Sequence, residues 1–167
     1  MKQKGFSLVE LVLVLIILIV LAAGSIIYIG FFQGIKLQSA AEKLANDIKY
    51  AQNTAVSKTV WYGVKFEVDP VNRYSIYYTD GTTDTLEADP ADFSKILSVD
   101  TNEKFGAKIN SVMLEGGQNQ IEFNGLGHPY TDYLGWVVSN EGSIVLQSGS
   151  QTKTIKITPN TGNVVIE

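Results

Sequence analysis

Between positions 11 and 35 the chain carries no charged residue: LVLVLIILIVLAAGSIIYIGFFQGI. An α-helix rises about 1.5 Å per residue, so roughly 20 apolar residues cross a bilayer core about 30 Å thick, and this run is long enough. From Leu37 the pattern changes. Leu37, Ala41, Leu44, Ile48, Ala51 and Ala55 alternate at spacings of four and three, which predicts that the helix continues with one narrow apolar stripe. Lys36, Glu42, Lys43, Asp47 and Lys49 fall off that stripe and read as a solvated face. Gly24, Gly30 and Gly34 weaken a helix by up to about 1 kcal/mol each relative to alanine, and mark either bending or close packing.

After Ser57-Lys58 the period becomes two. Residues 60–68 and 74–79 read as strands joined by the turn formers Asp69-Pro-Val-Asn-Arg73, hence a hairpin. Residues 80–92, rich in acids and turn formers, read as an exposed loop, with a short strand near 95–99. Alternation returns at 109–114, 120–123, 135–138, 143–146, 154–157 and 164–166, with turn signals at Gly116-Gly117, Asn140-Glu-Gly142, Ser148-Gly149 and Pro159-Asn-Thr-Gly162. The pattern predicts an α+β chain: one long N-terminal helix, with a membrane-spanning half and an amphipathic half, followed by an antiparallel β domain.

Charge adds an orientation. Lys2 and Lys4 precede the apolar run and no basic residue follows until Lys36, so the positive-inside bias places the N-terminus in the cytoplasm and residues beyond Lys36 outside. Glu10 interrupts the run near its start. A carboxylate at the centre of a spanning helix costs about 2.5–3.5 kcal/mol on the insertion scale, less near an end. No cation within the helix is placed to offset it, so its partner is expected on another molecule. Two plainer readings stand beside this. The small residues Leu21-Ala-Ala-Gly-Ser25 suit a secretory cleavage near Ala23, although a secretory core runs only about 7–15 residues. A simple single-span anchor is the other.

The residues Lys4-Gly5-Phe6-Ser7-Leu8-Val9-Glu10-Leu11 resemble the processing motif of type IV pilins and pseudopilins. The resemblance implies cleavage after Gly5 by a prepilin peptidase, N-methylation of the new terminus at Phe6, and pairing of Glu10 with the N-terminal ammonium of a neighbouring subunit. Unit charges about 4 Å apart attract by about 4 kcal/mol at an effective dielectric near 20, before desolvation. Further along, Ile121-Glu-Phe-Asn-Gly-Leu-Gly-His-Pro129, Gly142-Ser-Ile-Val-Leu146, Thr154-Ile-Lys-Ile-Thr-Pro-Asn-Thr-Gly-Asn-Val164 and the helix segment Ala51-Gln-Asn-Thr-Ala55 resemble the GspH/FimT group of minor pseudopilins. The resemblance implies a pilin-like fold, a long helix packed on an antiparallel β-sandwich, in a group that serves type II secretion in one branch and type IV pili with DNA uptake in another.

Candidate chemistry is sparse. The chain of 167 residues has no cysteine, which excludes thiol catalysis and cysteine-ligated metals. His128, the one histidine, precedes Pro129 in a glycine-flanked turn and lacks the partners of a triad or zinc site. Asp80, Asp84, Glu87, Asp89 and Asp92 offer the oxygens calcium takes, but not at EF-hand spacing. Gly125 and Gly127 lack the strand-to-helix context of a phosphate loop. With a net charge of −4 no broad basic footprint exists, and Lys153 and Lys156 alone give little counterion release. In the DNA-binding branch of the resembling group the C-terminal turn carries arginines; here it reads Thr161-Gly162-Asn163-Val164, which argues against DNA.

These readings divide the chain into a leader (1–5), a membrane and filament-core helix (6–35), its amphipathic half (36–58) and an exported β domain (59–167). The function expected is that of a non-enzymatic minor pseudopilin of type II secretion, without cofactor or metal. It would sit single-pass in the inner membrane with its C-terminal domain periplasmic. Its partners would be the peptidase, other subunits, the inner-membrane assembly platform and the lipid bilayer. The alternatives are a minor pilin of a type IV or competence pilus, or a single-span protein with an external binding domain.

Overall fold

The computed structural model describes the backbone from 7 to 167, and side-chain surroundings for 7–21 and 32–167. One helix, α1 (Leu8–Lys58), runs unbroken through the change of pattern at Lys36. It stops where Thr59 turns left-handed, at φ 54°, and donates its N–H to the Ala55 carbonyl. Strands β1 (Trp61–Glu67), β2 (Arg73–Thr79), β3 (Asp84–Leu86), β4 (Ala88–Asp89), β5 (Asp92–Ile96) and β6 (Ser98–Asp100) follow. After a short helix α2 (Thr101–Phe105) come β7 (Lys108–Met113), β8 (Gln120–Phe123), β9 (Pro129–Tyr130), β10 (Gly142–Ser148), β11 (Gln151–Ile157) and β12 (Val164–Ile166).

Among the described residues two larger antiparallel sheets form, beside the two-stranded β4–β5 pair. The first has the order β3-β2-β1-β8-β9, with β6 beside β2 below β3; the second has the order β12-β11-β10-β7. The outer half of α1 lies against both. Leu37, Leu44, Ile48, Ala51 and Ala55 are buried together with Val64, Phe66 and Ile76 of the first sheet and Ile109, Ile144, Leu146, Ile155 and Ile157 of the second. All six predicted stripe positions are 2% exposed or less. Alanine at 41, 51 and 55 keeps the stripe shallow, so the helix backbone approaches the strands closely.

Several expectations are corrected. Asp47 is not a solvated charge. It is buried, accepts a hydrogen bond from the Tyr74 hydroxyl at 2.7 Å, and pairs with Lys43 one helical turn away. The strand expected at 135–138 does not form, since only Val137 bridges to Tyr130. Local turn bonds use its backbone instead: Gly135 N–H donates to the Asp132 carbonyl and Thr131 N–H to that of Trp136. The acidic segment 80–92 is exposed over 80–86 but half-buried at 87–89 and at Asp92; it contains β3, and β4 pairs with β5 in a small separate hairpin. The strand expected at 95–99 divides at Leu97 between β5 and β6.

On the face of the first sheet away from α1, Gly63 has a packing role. It lies between Tyr77 and Glu122 in register. A Cβ at Gly63 would sit 2.4 Å from the Tyr77 ring, so the missing side chain lets the tyrosine cross β1 and donate to Glu122 at 2.7 Å.

Candidate assembly surface

The described part of α1 before the domain is apolar and uncovered. Every residue from 8 to 21 is exposed, from 44% at Val12 to 80% at Leu8. No single face of this stretch is hidden, unlike the outer half, where the stripe is buried. Gly5 and Phe6 lie outside the described residues. So do the side chains of 22–31, which form the middle of the expected span; among the described residues no helix is long and apolar enough to cross a membrane.

Glu10 stands in the first turn of α1, after Ser7 at the N-cap. A helix N-terminus favours a nearby carboxylate by about 0.3–1 kcal/mol, which is less than the insertion cost of an acid at mid-membrane. Among the described residues no cation pairs with it. Glu10 is exposed and is the one charged position in the otherwise apolar stretch from 8 to 21.

The residues quoted for the resemblance in the β domain have structural employment. Gln52 donates from Nε2 to the carbonyls of Gly127 and Thr161, both at 2.8 Å, and so ties two loops to the helix. Gly125 and Gly127 are pressed against Thr59 and Val56 at the helix end. His128 is exposed, with Nδ1 2.8 Å from the Asn160 carbonyl.

The acids of 80–92 are engaged separately. Asp80 accepts from the N–H groups of Thr82 and Thr83 and from the Thr82 hydroxyl, which hold its carboxyl down to about 2. Glu87 takes the Tyr62 hydroxyl and Lys58, and Asp92 takes Ser94 and Lys95. Among the described residues no group of three acids or histidines is placed to hold a metal. Lys156 is bracketed by Glu141 and Glu167, each at 3.1 Å, so its charge is compensated locally. Sequence reasoning missed α2, although Asp100 and Glu103 carry a helix-start signal: Asp100 Oδ1 accepts from the Glu103 N–H at 2.8 Å.

Comparison with known proteins supplies the family. Residues 1–26 match the prokaryotic N-terminal methylation motif, and residues 40–162 match the family described as type II transport protein GspH. Among solved structures, the minor pseudopilin EpsH from the type 2 secretion system of Vibrio cholerae aligns with a TM-score of 0.57 at 12% identity, covering 79% of this chain and 96% of that one. The type IV minor pilin FimU of Pseudomonas aeruginosa aligns at 0.53 and 18% identity, covering 82% and 92%. At such identities these two show a shared fold. No curated protein sequence matches. A GspH match over most of the chain, joined to a methylation motif at its start, makes this protein a member of the GspH family of pilin-like structural subunits.

Proposed function

We propose that this chain is a minor pseudopilin of type II secretion, cut after Gly5 by a prepilin peptidase and methylated at Phe6. In this reading the helix over 6–35 holds it single-pass in the inner membrane, N-terminus cytoplasmic, with 36–58 and 59–167 on the periplasmic side. Glu10 then selects and aligns the N-terminal ammonium of a neighbour at the assembly platform. One observation carries the reading: the rod over 8–21 is apolar and exposed on every face, with Glu10 its one charged position. Such a surface is unsuited to water and fits lipid first and packed helices later. The function is assembly, with no chemistry asked of the β domain.

The test is the intact mass of the protein from its native membrane, with and without the peptidase, followed by Glu10→Ala. Loss of residues 1–5 plus one methyl group, dependent on the peptidase, is the expected result. Glu10→Ala should insert and fold normally yet fail to enter filaments. An unprocessed terminus, or normal assembly without Glu10, would refute the reading. A type IV minor pilin is the second reading, favoured by the fold shared with FimU. Copurification with secretion-system or pilus subunits separates the two.

A further inference from the structure

The second sheet is anchored on the helix at two heights. Gln52 bonds the Thr161 carbonyl near the helix end, while the β10–β11 turn meets Gln33 and Gly34. A Cβ on Gly34 would lie 3.0 Å from Gln151 Oε1, and one on Gly149 would lie 2.7 Å from Gln33 Oε1. From Gln33 to Gln52 the helix rises about 28 Å, and β11 (Gln151–Ile157) covers about 20 Å of that height before the turn at 158–162 reaches Gln52. The β11 strand therefore descends beside α1, and its turn reaches into the last uncharged helical turn before Lys36. No spacer separates the apolar run from the base of the domain.

That base is polar and free of acids at its tip. Between positions 142 and 166 the chain has no aspartate or glutamate, although its net charge is −4. Beside the turn lies a hollow of about 330 Å³ lined by Asn102, Gly106, Lys108, Gln147, Ser148 and Gly149. Gln147 Nε2 donates to the Gly149 carbonyl and the Ser148 hydroxyl to that of Gly106, so the Asn102 amide and the Lys108 ammonium, which also lies 3.3 Å from Asp69, are the donors that suit phosphate oxygens. Lys36 is exposed on the helix at the same level.

We propose that the β10–β11 turn is a membrane foot, which rests on the phospholipid headgroup layer while the subunit awaits assembly. The inference rests on the membrane-spanning reading of 6–35 and adds a lipid-facing surface on the folded domain. The foot fixes the depth of the domain and must leave the headgroups when the subunit is drawn into a filament.

The absence of cysteine permits single labelling sites without background. Full-length chains with Ser150→Cys at the exposed turn, Leu126→Cys at the exposed loop by the helix end, or Leu15→Cys in the rod are spin-labelled. They are then reconstituted into phosphatidylethanolamine–phosphatidylglycerol vesicles. Collisions with a nickel chelate carried on lipid headgroups should be several-fold more frequent at 150 than at 126, which stands about 35 Å higher along the helix. The label at 15 should meet oxygen and not aqueous nickel. Equal headgroup collisions at 150 and 126, with 15 lipid-buried, would overturn the foot alone. Aqueous access at 15 would overturn the spanning helix and the foot with it.

Discussion

Glu122 and Tyr77 form a buried pair whose pH dependence can be worked out in advance. Glu122 is 1% exposed; its Oε1 accepts the Tyr77 hydroxyl and its Oε2 has no partner among the described residues. Burial pushes its carboxyl above the ordinary range, the Tyr77 hydrogen bond opposes that rise, and Asp132 and Asp84 add to it. A carboxyl with a raised folded pKa contributes stability fully below its unfolded value, about 4.3, and loses it as pH climbs through the folded value. Asp69, Asp80, Asp92 and Glu115 are lowered and act in the opposite sense. The informative quantity is therefore wild type minus Glu122→Gln, since glutamine keeps the acceptor for Tyr77 and removes the charge.

That difference should turn against the wild type as pH rises from 4 to 8, by about 1.4 kcal/mol for each tenfold gain in proton affinity on folding. Tyr77→Phe provides the complementary test. At pH 8 it strips a buried carboxylate of its donor and should cost about 1.5–3 kcal/mol, whereas at pH 4 the neutral acid should lose only about 0.5–1.5. In the Glu122→Gln background the smaller cost should apply at both pH values. Urea unfolding of the full chain in non-ionic detergent, followed by Trp61 and Trp136 fluorescence, measures each. Parallel pH profiles for wild type and Glu122→Gln would refute the reasoning, because they would mean that burial does not perturb this carboxyl.

Three further perturbations address the interfaces. Gly63→Ala places a methyl 2.4 Å from the Tyr77 ring and should lower stability by about 1–3 kcal/mol through overpacking, read in the same unfolding assay. Gln52→Ala removes both loop ties and should cost about 1–3 kcal/mol for the two hydrogen bonds. Hydrogen exchange should then quicken in 124–128 and 159–162 while the β10–β11 pairing stays protected. Ala51→Leu forces a branched side chain into a site that is 0% exposed, with an expected loss of about 1–3 kcal/mol. The midpoint of thermal unfolding should fall; an unchanged midpoint would show that helix and sheets are not in close contact there.

The sequence showed the helix and most strands because burial there follows one period at a time. The stripe from Leu37 to Ala55 faces two sheets along one unbroken helix, so periodicity alone located it. Alternation identified β10 and β11, where every second residue of β10 is buried. The misses arise where polar groups decide the matter. Asp47 lies beside the stripe, and only the distant Tyr74 makes its burial tolerable. Residues 135–138 alternate, but Gly135 and Trp136 are held in turn bonds to Asp132 and Thr131, and Val138 is divided between Pro129 and Asn160, which leaves a single bridge at Val137. The importance of Gly63 depends on tyrosine and glutamate neighbours that are brought beside it by strand pairing. Glu10 stands out in the sequence as a candidate because an acid in an apolar run conflicts with its surroundings, whereas the β10–β11 turn, the proposed foot, carries no such conflict.

The two halves of α1 use opposite side chains for one reason. The outer half, with alanine at 40, 41, 45, 51 and 55, permits close approach of a partner within its own chain. The inner half displays large side chains, among them Leu8, Leu11, Leu13, Leu15, Ile16, Ile17, Leu18 and Ile19, all about half exposed or more. Burying each such side chain is worth about 1.5–3 kcal/mol. Over these eight side chains that comes to about 12–24 kcal/mol, as large as the roughly 5–15 kcal/mol that holds a typical domain folded. Water is therefore not the working environment of this rod. Under the proposed assembly, moving it from lipid into a packed filament exchanges one apolar neighbour for another, and lipid chains are as apolar as leucine. The apolar residues then contribute little to the difference between the two states. Glu10 contributes most, because its environment changes in kind, from an unpaired acid to one facing a neighbour's ammonium. A conservative apolar replacement such as Leu13→Ile should leave assembly nearly unaltered, while Glu10→Gln, which retains shape and loses charge, should abolish it.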